Sequence, residues 1–184
     1  MSEALALHDA RAVVAFWKDA GAARWFAKDA AFDRRFRERF LAAHEEAARG
    51  ALLGWLDSAE DALALILLLD QFPRNAFRGT PRMYASDPLA RRCAAAAIEA
   101  GHDRRIARDL RLFLYLPFGH SEDLADQARS VRLSAALDPP NPTNARRHHG
   151  IVERFGRFPH RNAILGRASS AEELGFLAAG GYAG

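Results

Sequence analysis

Apolar residues return at helical spacing along almost the whole chain, and no stretch of four or more residues alternates cleanly as a half-buried strand would. The pattern predicts helices at about 4–18, 29–49, 59–71, 87–100, 108–116, 121–137, 143–155 and 171–179. Start and stop residues fall where those spans need them. Ser58 with Asp61 and Ser170 with Glu173 fit capping boxes, in which a hydroxyl and an acid three residues on satisfy each other's amides. Asn141 followed by Pro142 offers a cap and then a proline at the first helical position, while Gly50, Gly101 and Gly156 stand where helices should stop. The connections are short, so successive helices should be antiparallel neighbours. The expected fold is all-α, a single domain over residues 1–184 built of stacked antiparallel helical hairpins. Asp138-Pro139-Pro140-Asn141-Pro142 reads as a rigid corner rather than a domain boundary.

Composition agrees with that picture. A chain of 184 residues that is 49% apolar can bury one sizeable core without a disulfide or a structural metal. Its lone cysteine, Cys93, sits in an alanine-rich helical run and reads as a small core residue. With no second cysteine there is no internal disulfide framework, which suits a reducing compartment. The first residues carry Glu3 and lack a basic segment followed by an apolar core, so no signal peptide is expected. The longest strongly apolar run, Ala62 to Leu69, is far short of the roughly 20 residues a membrane span needs. A cytoplasmic protein without a membrane segment is the expectation.

The charge matters more for its position than for its sum. Residues 1–140 net to zero, residues 141–167 carry six arginines against Glu153 alone, and Glu172 and Glu173 then bring the total to +3. The same segment holds His148, His149 and His160. Arginine outnumbers lysine throughout, so abundance says little and placement says more.

Three polar residues break otherwise apolar helical faces. Leu63, Ile66, Leu67 and Asp70 follow i, i+3, i+4, i+7 spacing, which puts a carboxylate on an apolar stripe near a helix C-terminus. A buried lone carboxylate is costly, so Asp70 should have a cationic partner. Pro73 is expected to end that helix and leave Arg74 and Arg78 within reach. Either the arginines clamp Asp70 and fix the corner, or one stays available for an anionic ligand. His120-Ser121-Glu122-Asp123 opens the next conflict, with Ser121 as the expected cap and acids in the first turn. Gln127 shares a face with Leu124, Ala128, Val131 and Ala135, so its amide must find partners in the core. His148 lies on the face of Ala145, Val152 and Phe155, beside the only strongly basic stretch. There the helix breaks into a Gly/Pro-shaped loop where Arg157, His160 and Arg161 could form a fork for carboxylate or phosphate. The plain alternative is that these arginines pair with Asp70 and Glu122 and hold helices together. One shared polar centre would explain all three breaks. His120 and Glu122 are too close in sequence to share a helix face, and no third ligand stands at metal-site spacing, so neither a metal nor a cofactor is expected.

The runs WFAKDAAFDRRFRERF (25–40), LALILLLDQFPRNAFRGT (63–80), LFLYLPFGHSEDLADQ (112–127) and RRHHGIVERFGRFPHRNAILGR (146–167) resemble the signature blocks of the bacterial family catalogued as domain of unknown function 924. The resemblance implies a tetratricopeptide-like superhelix and names no reaction. The family's polar positions fall here on Asp70, Gln71, Arg74, Asn75, Arg78, His120, Ser121, Glu122, Gln127, His148, Arg154, Arg157, His160, Arg161 and Asn162. These fifteen form the candidate ligand-binding set. Gly119 departs from the pattern, since the family usually has Glu there. A second feature is internal: Gln71-Phe72-Pro73-Arg74-Asn75-Ala76 echoes Arg157-Phe158-Pro159-His160-Arg161-Asn162-Ala163 with one inserted residue.

Two functions of different kinds fit these residues. Stacked helical hairpins usually present a groove for a peptide or protein segment, so a binding module is the first reading. The alternative is a small-molecule site or enzyme for a phosphorylated or carboxylated metabolite. There Arg74, Arg78, Arg157 and Arg161 would hold the anion, and His120, His148 or His160 would serve as acid or base with Glu122 orienting one of them. Nucleic acid is disfavoured as a partner, because the basic residues sit among acids and aromatic core positions rather than on a solvated stripe. Nothing in the sequence fixes the oligomeric state.

Overall fold

The computed structural model describes residues 9–137, 139–140 and 142–182, and those residues contain helices and turns but no strand. The all-helical class read from the sequence is the class observed. The chain divides into two compact units, one made of Met1–Arg78 with Arg82–Pro117 and the other of Gly79–Pro81 with Phe118–Gly184.

In the first unit, α1 (Ala10–Ala20) starts at Asp9, whose carboxylate accepts from the Arg11 and Ala12 amides. The expected start of this helix at residue 4 lies outside the described residues. Gly21, with φ +73°, breaks the chain into the short α2 (Ala22–Trp25), which the apolar pattern did not separate. α3 (Ala30–Ala48) is capped by Asp29 and presents Phe32, Phe36, Phe40, Ala43 and Ala47 as one buried stripe at three- and four-residue spacing. Phe16 stacks on that stripe at 5.2 Å from Phe32 and 5.1 Å from Phe36. Trp17 meets Phe113 edge-on at 5.3 Å.

α4 (Ala59–Ile66) opens at Ser58, whose hydroxyl accepts from the Asp61 amide. It packs against α1 and α6 (Asp87–Glu99), and Ala62 to Leu69 are all but fully buried. Apolar on every side, it is the central element the sequence indicates. Pro73 does not end it. Leu67–Gln71 form a π-turn, and the chain continues as α5 (Phe72–Ala76) with the proline in the first turn. A π-turn absorbs one extra residue and breaks the regular bonding ladder, so a residue without an N–H can be passed without leaving the helix. The 108–116 span likewise differs, with a 3-10 turn at Arg108–Leu110 followed by α7 (Leu112–Gly119), which contains Pro117.

In the second unit, α8 (Leu124–Ala135) and α9 (Thr143–Phe155) pack on each other across the proline-rich corner. Asp123, not Ser121, caps α8, accepting from the Ala125 and Asp126 amides. Ser121 instead accepts from the Asp123 amide one turn earlier, so the helix starts later than the pattern suggests. Asn141, read as the cap of α9, lies outside the described residues; Pro142 occupies the capping position observed. Gly156 closes α9 at φ +67°, its N–H bonding the Val152 carbonyl. α10 (Ala171–Ala178) begins with the Ser170–Glu173 capping box, both halves of which form.

Candidate functional site

The candidate residues belong to both units, and each set is described within its own. In the first, the π-turn organises everything. Regular helical bonding is lost where the ladder slips and where Pro73 lacks an N–H, so successive carbonyls need other donors. Side chains supply them. His44 Nδ1 lies 2.9 Å from the Leu68 carbonyl, and Ser86 Oγ donates to Leu69 at 2.6 Å. Arg74 donates to the Asp70 carbonyl at 2.7 Å and Asn75 Nδ2 to Gln71 at 2.9 Å. Burial pushes the His44 imidazole below its ordinary value, which favours the neutral ring.

Arg74 also answers the Asp70 carboxylate. Its Nη1 lies 3.3 Å from Asp70 Oδ1, and its two terminal nitrogens grip Asp87 at 2.9 and 3.0 Å. Gln71 Nε2 donates to Asp70 Oδ2 at 2.6 Å. Burial by itself would lower the Arg74 guanidinium, but Asp70 and Asp87 outweigh it and hold the group above its ordinary range. Arg78 takes a different course from the one expected. It donates to both oxygens of Asp33 at 2.8 and 3.1 Å and to Asn75 at 3.1 Å. Asp33 and Asp87 are the partners that sequence reasoning missed. Asp87 stands at the start of a helix, where an acid is ordinary, and Asp33 lies on a helix far away in sequence.

The second unit contains two clusters. In the first, the Glu122 carboxylate accepts from Arg167 at 2.7 and 2.9 Å and from the Phe158 N–H at 2.8 Å. Burial would raise this carboxyl, yet Arg167 and the Phe158 amide keep it below its usual range. Arg167 also donates to Asn162 Oδ1 at 3.0 Å, and Asn162 Nδ2 donates to Ser169. Arg157 grips Glu173 at 2.6 and 2.8 Å and the Ala168 carbonyl at 2.8 Å. Arg157 and the Ser170 amide together hold Glu173 down at about 2. Arg154 pairs with Glu172 on the surface at 2.8 Å. Arg167 and Glu173 were not in the candidate set; Glu173 was legible only as a capping acid, and it serves as cap and ion-pair partner at once.

The other cluster is made of rings. His148 lies 4.7 Å from Tyr182 and 5.4 Å from Phe158, and His160 lies 5.1 Å from Tyr182 and 5.6 Å from Phe158. Its floor is Gly119, whose carbonyl faces His148 Nδ1 at 3.2 Å and accepts from Gln127 Nε2 at 2.9 Å. Gln127 also donates to the Ser121 carbonyl at 2.6 Å, which answers how its amide is satisfied on an apolar face. A Cβ at Gly119 would stand 2.9 Å from Ser130 Oγ and 3.8 Å from His148 Nδ1, so an acid there would require Ser130 to move. The carbonyl contact selects the His148 tautomer with hydrogen on Nδ1, leaving Nε2 as an acceptor. Burial, then the nearby His120, push His148 down to about 4. Burial followed by Arg161 does the same to His160. Both rings are therefore neutral at pH 7. His160 Nδ1 is buried without a hydrogen-bond partner among the described residues. Arg161 donates to the His120 carbonyl at 2.9 Å and lies over the Phe158 ring. Tyr182 gave no sequence signal, because it follows the last predicted helix.

The Phe-Pro echo has a partial local counterpart. Phe72 and Phe158 are both fully buried, each proline opens a helical turn, and Asn75 and Asn162 both donate from buried amides. The first copy continues an α-helix and the second is a 3-10 turn.

No three His, Cys, Asp or Glu among the described residues converge as metal ligands. Cys93 is buried, and burial raises its thiol to about 11, the environment of an unreactive core residue. No helix among the described residues is long and apolar enough to cross a membrane.

These features define an all-helical protein in which Arg74, Arg78, Arg157 and Arg167 each hold a carboxylate and whose second unit keeps a cluster of neutral imidazoles. The chain belongs to the family described as bacterial protein of unknown function (DUF924), whose model matches residues 13–181. It is similar to a solved structure of a protein of unknown function from Agrobacterium tumefaciens, with 56% identity, a TM-score of 0.88 and coverage of 91% of this chain and 96% of that one. No curated protein matches it.

Proposed function

We propose that the protein is a cytoplasmic binding module that holds a peptide segment of a protein partner at the imidazole–tyrosine cluster of its second unit. One observation carries this reading. Of the four arginines read as holding an anion, Arg161 donates to the His120 carbonyl, and the other three each hold a carboxylate: Arg74 with Asp87, Arg78 with Asp33 and Arg157 with Glu173. A separate anion would have to displace a carboxylate already in place at each of them. The ring cluster, by contrast, leaves His148 Nε2 as an acceptor and holds His160 Nδ1 buried without a hydrogen-bond partner among the described residues, a need that a ligand reaching into the cluster would meet. Neutral imidazoles that both donate and accept match the alternating N–H and C=O groups of a peptide backbone. Tyr182 adds an aromatic platform of the kind enriched at interfaces.

The tetratricopeptide-like arrangement of hairpins belongs to the same proposal, supported by the packing of α8 on α9 within one unit. Panning a random peptide library against the protein tests the binding reading, with captured peptides remeasured by calorimetry on the wild type and on His160→Gln. Binders that lose at least tenfold on the variant are expected. Tight binding of phosphate or citrate, with no peptide captured, would overturn the reading in favour of a metabolite site.

A further inference from the structure

α8 and α9 form a second feature that shares no lining residue with the ring cluster. Val131 and Arg132 lie three and four residues after Ala128 on α8, and Arg146 and His149 lie three apart on α9. Together they line a cavity of about 270 Å³. Alanine and valine give it an apolar floor, and two guanidinium groups give it a cationic rim, with the His149 imidazole beside them. Arg129 and Arg147 lie over the Phe118 and Tyr182 rings. Arg154, Arg157 and Arg167 each hold a carboxylate, whereas neither Arg132 nor Arg146 pairs with one among the described residues. The acid beside the rim is Glu153, whose Oε2 lies 4.0 Å from His149 Nδ1 with a side chain 68% exposed, so water screens most of its influence.

Two like charges brought to one opening repel, and an anion placed between them turns that repulsion into paired attraction. The floor adds a second requirement, since an apolar surface is best covered by an apolar body. The geometry points to a small-molecule site for a carboxylate carried on a short aliphatic chain, with the carboxylate between Arg132 and Arg146 and the chain on Ala128 and Val131. The volume lies just below the roughly 300 to 1,000 Å³ of ligand pockets for drug-sized molecules, which limits the occupant to a short chain. The sequence reading sought an anion site at Arg74, Arg78, Arg157 and Arg161; this site uses none of them. It was hidden because Arg132 and Arg146 sit on ordinary solvent-facing helix positions, and only the packing of α8 on α9 brings them to one opening.

The site is independent of the proposed peptide reading and has its own test. Hexanoate, hexanol and inorganic phosphate are titrated into the ¹⁵N-labelled protein while amide shifts are followed. Hexanoate should give saturable shifts confined to about residues 128–132 and 145–149, with hexanol and phosphate each at least tenfold weaker. Arg146→Gln, an exposed position whose folding the dispersed spectrum verifies, should weaken hexanoate at least tenfold. His160→Gln should leave hexanoate binding unchanged, which separates this site from the ring cluster. Absence of saturable shifts at α8 and α9, or unchanged affinity in Arg146→Gln, overturns the proposal. Equal binding of hexanol removes the carboxylate from it, and equal binding of phosphate removes the apolar chain; either result also overturns it.

Discussion

Replacing Arg74 with Met removes a single side chain that answers three needs at once. The guanidinium neutralises Asp70, whose side chain is fully buried, grips Asp87 through both oxygens, and donates to a carbonyl of the π-turn. Without it, the Asp70 and Asp87 carboxylates lose their shared guanidinium in the interior. Breaking a buried ion pair by deleting one partner costs roughly 3–5 kcal/mol, against a net stability of about 5–15 kcal/mol for a whole domain. The lost carbonyl bond adds about 1 kcal/mol. The methionine stem keeps most of the volume, so packing loss is small. Trp17, Trp25 and Trp55 all belong to the first unit, so urea unfolding followed by tryptophan fluorescence reads this loss directly. The midpoint should fall sharply, and adding Asp87→Asn in the same chain should restore part of the difference, because one of the two interior charges that lost the guanidinium is then gone. A loss under about 1 kcal/mol, or a double variant no better than the single one, would refute the view of Arg74 as the brace of the π-turn.

Glu173 is held at about 2 against an ordinary 4.5, so its ion pair contributes stability that is full above about pH 4.5 and is lost as pH falls through about 2. Urea midpoints between pH 5 and 2 should decline less steeply in Arg157→Gln than in the wild type. Gly119→Ala should destabilise the second unit by about 1–3 kcal/mol through the contact with Ser130 Oγ, and Ser130→Ala should relieve part of that loss. The expectation of a single domain predicts that tryptophan fluorescence, from the first unit, and amide signals of α8 and α9 disappear at one urea concentration; separate midpoints would mean two independently unfolding domains.

The helices were legible because their apolar faces repeat at helical spacing over many residues, as the Phe32–Phe36–Phe40 stripe shows. The π-turn was not. A one-residue slip leaves the apolar run Leu63 to Leu69 unchanged in composition, and Pro73 pointed instead to a helix end. The polar residues that break apolar faces were legible too, since Asp70 and Gln127 are fully buried and His148 is largely so. Their partners depend on which helices pack together. Asp70 meets Arg74 from its own segment, a contact local spacing could indicate. Arg78 meets Asp33, forty-five residues away, and no local rule could choose Asp33 among the acids of α3. His148 finds a backbone carbonyl at Gly119, which carries no side-chain signal at all.

The ring cluster rests on the protonation of its imidazoles. Side-chain ¹⁵N spectra of the protein, recorded from pH 8 to 4 and again at pH 7 with a captured peptide, test it most directly. The account predicts His148 as the neutral tautomer with hydrogen on Nδ1, His148 and His160 still neutral at pH 5.5, and both rings shifted by the peptide. Rings that titrate near the ordinary 6.5, or a bound peptide that leaves both unmoved, would contradict it.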